Sequence, residues 1–475
     1  MLLRQNGSEH SKQYIFIVIR ITVMRITIFF VSLPQKTDML KFYNREKEMA
    51  LLEKIEQKSL TTAQMTFVVG RRRIGKTSLI TNVFAEKKAI YFFVEKKNET
   101  LLCEEFTEEI QNKLGVTIFG EMRTFKDIFG YLMDLSKIQH FTLIIDEFQE
   151  FRNINSSIYS EMQHIWDKHK NESKINLILC GSVYSLMKKI FENSKEPLFG
   201  RATARLHLKE FDVQTIKEIL RDNYPNYTHE DLLAFYLFTG GVAKYTELLA
   251  EANAFTKERI LDEIFSENSL FLNEGRNVLI DEFGKDYGNY FSILMLVANS
   301  KTARNEMESI MNMNLGGFLD RLENEFGLIT KLRPILSKPT GRNVKYRIDD
   351  NFLNFWFRFI FKYRGAIEMG NFEYVKTIIE RDYQTYSGII LERYFRQKIS
   401  TTENLSQIGS YWESGNQNEI DIVALNEYEK TAIIAEVKRN ADRINLNVLK
   451  NKSINLVKQL TNYKIEYRAL SMNEL

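Results

Sequence analysis

The chain has 475 residues, 44% of them hydrophobic and 27% charged, a balance that excludes a disordered or fibrous protein. Sixty-five basic residues against 62 acidic ones leave a net charge of +3, so any nucleic-acid surface has to be local. Two cysteines, Cys103 and Cys180, have no metal-ligand spacing and fit buried thiols in a reducing, cytoplasmic setting, and five prolines leave little room for long linkers.

Tyr14 to Leu33 is apolar but broken by Arg20 and Arg25. Each arginine costs roughly 2.5–3.5 kcal/mol near the centre of a membrane helix, so no stable membrane association is expected. The run has no small-residue cleavage site, and an ordinary globular sequence starts at Met39. Residues 1–38 are therefore expected to be a non-native or disordered extension, with translation starting at Met39. A helix follows from Asn44, with Leu51, Leu52 and Ile55 on one face. Arg45 and Glu46 there are either cover for an adenine or plain first-turn charges.

Met65 to Val69 reads as a buried strand, and Gly70-Arg71-Arg72-Arg73-Ile74-Gly75-Lys76-Thr77 matches G-x-x-x-x-G-K-[ST] at the start of a helix. In that context glycines Gly70 and Gly75 let backbone N–H groups wrap a phosphate, and the helix N-terminus adds positive potential. Lys76 is expected on the β- and γ-phosphates of ATP, Ser78 at the loop's end, and the Thr77 hydroxyl on Mg²⁺. The triple arginine, Arg71 to Arg73, has no role assigned by the motif.

Ala89 to Val94 is a second apolar strand, and Phe141 to Asp146 a third that ends in Asp146-Glu147. Two acids at the end of a strand are what a phosphate loop needs downstream: Asp146 to hold Mg²⁺ and Glu147 as the general base for water. Ile175 to Cys180 is a fourth strand, followed by Gly181-Ser182, and Ser182 is expected to sense the γ-phosphate. Arg201 or Arg205, ahead of a short strand at Leu206 to Leu208, is either an arginine finger, in cis or across a homo-oligomer, or a salt-bridge residue. Alternating strands and helices give a parallel α/β sheet with ligands at its C-terminal edge.

Phe211 to Ala250 reads as a helical lid, with Lys244 either a second nucleotide sensor or an ordinary solvated lysine. From Tyr287 the order helix, helix, helix (Leu315 to Phe326), strand (Leu328 to Leu336), strand (Val344 to Ile348) is that of a winged helix. The third helix carries Asp320, Glu323 and Glu325, a poor charge for a DNA groove. Lys338, Arg342 and Lys345 in the hairpin are candidates for DNA phosphate contacts, and a protein-docking wing is the competing reading.

Towards the C-terminus a helix from Tyr386 to Gln397 carries Glu392. Asp421 stands on one strand of a hairpin, and Glu436 and Lys438 stand two apart on the other, facing one way. This is the layout of a metal-dependent nuclease: Asp421 and Glu436 bind the metal while Lys438 orients water. A salt bridge along a strand face is the plainer alternative.

With these residues in hand, the chain resembles the prokaryotic archaeal-type P-loop ATPases related to the AAA+ and STAND groups. The resemblance rests on Phe42 to Glu46, Gly70 to Thr77, Ile145 to Gln149, Gly181-Ser182 and Tyr346 to Phe357. The C-terminal part is similar to the PD-(D/E)xK nucleases at Asp421, Glu436 and Lys438. The implied fold is α/β: a P-loop NTPase core of the additional-strand type at 39–210, a helical lid at 211–284, a winged helix at 285–350 and a restriction-endonuclease-like α/β domain at 351–475. Val242-Ala243 departs from the family where a proline often precedes the basic residue, Lys244.

Overall fold

A computed structural model describes residues 42–284, 287–341 and 343–475. The expectations for residues 1–38 and for Arg342 lie outside the described residues. Four largely apolar runs and a short edge strand form one sheet: β1 (Gln64–Val69), β2 (Ala89–Phe93), β3 (Phe141–Asp146), β4 (Ile175–Cys180) and the edge strand β5 (Ala204–His207). All its pairings are parallel, in the order β2-β3-β4-β1-β5. Every residue of β3 and β4 is buried, which is why these strands read as unbroken apolar runs rather than alternating ones. Because β4 separates the loop strand β1 from the acid-bearing β3, the sheet is that of an additional-strand P-loop NTPase. The β1–helix turn and the ends of β3 and β4 share the C-terminal edge of the sheet.

Five helices follow: Val213–Asn223, His229–Thr239, Ala243–Glu251, Lys257–Ile264 and Phe271–Phe283. His229–Thr239 is buried from Asp231 to its end, and Thr228 closes its start with a capping box to Asp231. Its core runs on without a break through Phe291, Leu319, Phe352 and Tyr386 to Ile422 and Ala435. The five-helix, hairpin and C-terminal segments thus share one hydrophobic core.

Helices Tyr287–Ala298, Arg304–Met311 and Gly316–Asp320 lead into an antiparallel hairpin of β6 (Ile329–Leu332) and β7 (Lys345–Ile348). β6 ends before Leu336, where the sequence pattern had put its end. Pro334 has no N–H to continue the ladder. The Ile335 N–H instead donates to the Ser410 carbonyl at 2.9 Å, and the Ile335 side chain joins the core beneath the C-terminal sheet.

That sheet comprises β8 (Gln407–Tyr411), β9 (Ile420–Asn426), β10 (Thr431–Val437) and β11 (Lys464–Leu470), in the order β11-β10-β9-β8. The first three strands form an antiparallel meander, and β11 returns parallel to β10, so the sheet is mixed. Alternation along the strands splits its apolar residues between two cores: Ile422, Ala424 and Ile433 join the long core, and Val423, Leu425 and Ile434 the other. The helix carrying Glu392 is longer than the sequence pattern suggested, spanning Phe372–Thr402 with Asn371 as its cap. Among the described residues no helix is long and apolar enough to cross a membrane.

Candidate functional site

The helix Lys76–Phe84 starts at Gly75, whose φ of +91° suits glycine and whose missing side chain leaves the helix without a side-chain cap. First-turn N–H groups presented this way receive an anion. Lys76 Nζ donates to the carbonyls of Gly70 at 2.7 Å and Arg71 at 2.9 Å, so the ammonium lies across the mouth of the loop. Burial pulls the Lys76 pKa down, with Cys180, Asp146 and Glu147 pulling it back. Ser78 is exposed on the first helical turn.

Asp146 gathers four donors. The Thr77 hydroxyl reaches its Oδ2 at 3.0 Å and the Tyr91 hydroxyl the same atom at 2.6 Å. The Glu147 N–H and the Cys180 thiol reach Oδ1 at 2.8 and 3.2 Å. Burial, then the Asp146 bond and charge, push the Tyr91 phenol far above its usual range, so Tyr91 keeps its proton and donates. Thr77 and Asp146 offer two hard oxygens on one spot, the sparse protein set that Mg²⁺ accepts while keeping its waters. Their chemistry fits that ion.

Glu147 sits at φ +53°, a costly conformation for a non-glycine residue, held by the turn Phe148–Glu150. This aims its carboxylate along the sheet edge, where Oε2 accepts from Ser182 Oγ at 2.7 Å and from the Gln149 amide. A Cβ on Gly181, just past β4, would lie 2.0 Å from Gln149 Oε1, so a side chain there would have to push that buried amide aside. The structure therefore brings Lys76, Thr77, Asp146, Glu147 and Ser182 to one edge.

Arg201 is not there. It precedes β5 at the opposite end of the sheet, where Thr203 N–H bonds to the Met65 carbonyl at the start of β1, and it pairs with Asp167 at 3.0 Å. A six-residue strand spans about 20 Å, so Arg201 does not reach the loop within its own chain. Arg205 is paired with Glu192 on the edge strand. The Lys244 side chain turns to Glu247 at 2.8 Å, and only its backbone N–H meets the loop, at the Arg73 carbonyl.

The second constellation lies on the C-terminal sheet. Lys438 Nζ is 3.2 Å from Asp421 Oδ2 and 3.0 Å from Glu436 Oε1, so one ammonium joins both carboxylates. Asp421 also accepts from the Val437 N–H at 2.8 Å, and Lys452 reaches Glu436 at 3.2 Å. Burial raises the Asp421 pKa against the pull of Lys438. Glu392 is pushed up to about 8, by burial first and then by the charge of Asp421. Among the described residues no group of three or more His, Cys, Asp or Glu gathers as a metal cage, but Asp421 and Glu436 are hard donors one ammonium apart, a pair suited to Mg²⁺. In the hairpin, Lys345 is bound to Glu419 at 2.9 Å and covers the Trp412 ring, while Lys338 is exposed. Lys345 is thus spent on the C-terminal sheet rather than free for a phosphate.

The roles of Tyr91 and Cys180 at Asp146 escaped the sequence reading, because which neighbour a strand takes is set by parallel pairing across long sequence gaps. Arg396, which donates to the Asp421 carbonyl at 3.0 Å, escaped it too, although its i+4 spacing from Glu392 on one helix is visible in the sequence.

Residues 42–249 match the family model of an ATPase domain found predominantly in Archaea. The ATPase domain is followed, at residues 356–454, by a match to archaeal and bacterial proteins of unknown function. An uncharacterized protein of Methanocaldococcus jannaschii is 28% identical over 407 residues, covering 84% of this chain and 87% of its own. The Walker-type ATPase of Pyrococcus abyssi superposes with a TM-score of 0.52 at 18% identity, covering 69% of this chain and 99% of that one. The Aeropyrum pernix ORC2 protein, solved as ADPNP–ADP complexes, gives 0.48 at 14% identity, covering 70% and 97%. The shared fold and the ATPase domain together make this an ATP-binding P-loop ATPase.

Proposed function

We propose that the chain is a cytoplasmic, Mg-ATP-hydrolysing switch ATPase whose nucleotide state acts on a nuclease-like, DNA-binding C-terminal domain. The observation that carries the ATPase reading is the pair of contacts Thr77–Asp146 and Ser182–Glu147 on one sheet edge, beside Lys76. On this reading Gly70, Gly75 and Ser78 belong to the phosphate cradle, and Lys76 leaves the loop carbonyls for the β- and γ-phosphate oxygens. Thr77 and Asp146 hold Mg²⁺, which supplies positive charge to those oxygens when bound. Glu147 takes the proton of the attacking water, and Ser182 orients Glu147 and the terminal phosphate. Phosphate release from ATP, measured with and without Mg²⁺ and lost in Lys76→Ala, tests this. Equal release by that variant overturns it.

For the output, the reading assigns Asp421 and Glu436 as metal ligands and Lys438 as the residue that orients water at a phosphodiester. It is supported by the meeting of all three side chains at one point. The domain limits that go with it are 39–210, 211–284, 285–350 and 351–475. A second reading, a catalytically silent docking domain, is favoured by Lys345 being consumed by Glu419 and both carboxylates by Lys438. Plasmid incubated with Mg²⁺ or Mn²⁺ and ATP separates the two. Cleavage that Lys438→Ala abolishes supports the nuclease; no cleavage under any metal and nucleotide condition supports docking.

A further inference from the structure

The three arginines of the phosphate loop are each held differently. Arg71 is bound to Asp350 at 3.4 Å and to the Gly327 carbonyl, and Arg73 to Glu274 at 2.9 Å. Asp350 and Glu274 are buried acids, with side chains 6% and 5% exposed. Removing either arginine leaves a buried carboxylate without its counter-charge, with Tyr245 still on Glu274 and the Leu353 N–H on Asp350, which fits these two as fasteners.

Arg72 is unlike them. Its Nη2 pairs with Asp281 at 2.6 Å, on the helix Phe271–Phe283, and both side chains are about a third exposed, at 33% and 36%. Its Nη1 touches the Asn277 carbonyl at 3.2 Å. Its Nε lies 3.3 Å from Ser182 Oγ, the hydroxyl that donates to Glu147. The guanidinium therefore stands one hydrogen bond from the sensing and hydrolysing groups, tied on its far side by an ion pair that water already weakens.

We propose that Arg72 is the arginine finger of this ATPase, supplied by the phosphate loop itself. Its planar fork suits the two free oxygens of a terminal phosphate, and it exchanges Asp281 for them when ATP binds. The exchange favours the ligand, because a γ-phosphate carries more charge than one carboxylate a third exposed and lies in a more enclosed place. ADP offers no such group, so Arg72 then stays on Asp281 and the helix Phe271–Phe283 stays tied to the loop. Within the same chain the sheet's own arginines do not compete for the task, Arg201 being paired at the far end and Arg205 with Glu192 on the edge strand. The inference rests on the assignment of Ser182 and Glu147 to the γ-phosphate side of the site.

The test is a titration of the full chain, in Mg²⁺, with fluorescent ADP and with a fluorescent non-hydrolysable ATP analogue. Arg72→Ala is expected to weaken the analogue about tenfold or more and ADP less than about twofold, and to lower turnover by about 10³-fold. Arg72→Lys keeps the charge without the fork and is expected to recover part of the analogue affinity; it also guards against a simple folding failure. Asp281→Asn frees the guanidinium and is expected to tighten the analogue severalfold with ADP unchanged. Equal effects of Arg72→Ala on both nucleotides, or none on either, overturn the inference while the ATPase reading stands. A wild-type chain that binds neither nucleotide overturns the ATPase reading itself.

Discussion

The Ser182 hydroxyl donates to the Glu147 carboxylate at 2.7 Å, joining the end of β4 to the end of β3. The two positions are 35 residues apart and meet only because β4 is inserted beside β3 in the sheet. If Glu147 is the base, Glu147→Gln keeps the size and the Ser182 bond but cannot take a proton. Nucleotide binding is expected to persist while turnover falls about 10²- to 10⁴-fold, as single-turnover phosphate release reads directly. Unchanged turnover removes Glu147 from the role.

Tyr91 shares Asp146 Oδ2 with Thr77, at 2.6 and 3.0 Å. A phenol that burial and Asp146 keep protonated must be the donor towards this carboxylate, so on the proposed reading it would fix the lone pair that Asp146 offers Mg²⁺. Tyr91→Phe is expected to raise the Mg²⁺ concentration for half-maximal turnover severalfold and to cost about 1–2 kcal/mol of stability. Loss of stability with no change in the Mg²⁺ curve would mean that the tyrosine is only a structural partner.

The sequence made the loop, the acid-ended strand and the polar end of β4 legible because each is local: a few apolar residues and then a chemical group. The hairpin Asp421–Glu436–Lys438 was readable for the same reason, since period-two alternation puts Glu436 and Lys438 on one side. What long-range packing decides was not legible. Arg201 sits between a loop glycine and a strand, as a finger would, yet parallel pairing of β5 with β1 carries it to the other end of the sheet. Lys338, Arg342 and Lys345 read as one basic hairpin, but Glu419, 74 residues on, claims Lys345. The arginine triplet made no pattern until its partners, 201 to 279 residues away, were known.

Gly275 lies in the helix Phe271–Phe283 with the Trp356 ring against it, and a Cβ there would come within 2.2 Å of that ring. Trp356 cannot slide aside freely, because its indole N–H donates to the Leu272 carbonyl at 3.1 Å in the same helix. Alanine gains up to about 1 kcal/mol over glycine in helix propensity. Overpacking of a ring in a filled core costs about 1–3 kcal/mol and outweighs that gain. Gly275→Ala is expected to lower the midpoint of thermal or urea unfolding. A raised midpoint would mean that the two helices separate easily, and with them the connection from the loop to the C-terminal half.

Glu392 supplies a pH dependence with a definite sign. Burial, then the neighbouring charge of Asp421, push its pKa up to about 8, with Arg396 and Lys438 opposing. An unfolded chain releases the same proton near about pH 4.3. Between those limits the folded protein binds more protons than the unfolded one, so stability falls as pH rises through the window and levels off above about 8. Asp421, also raised by burial, acts in the same direction. His140 and His207 act oppositely, since burial lowers both, and unfolding in acid lets them charge. Those histidines are common to wild type and variant, so the difference between Glu392→Gln and wild type isolates the carboxyl. Melting curves from about pH 5 to about pH 9 are expected to show the variant gaining on wild type as pH rises, by an amount on the order of a few kcal/mol. A constant difference across that range would place Glu392 in water at every pH, and would remove the buried third acid from the neighbourhood of Asp421.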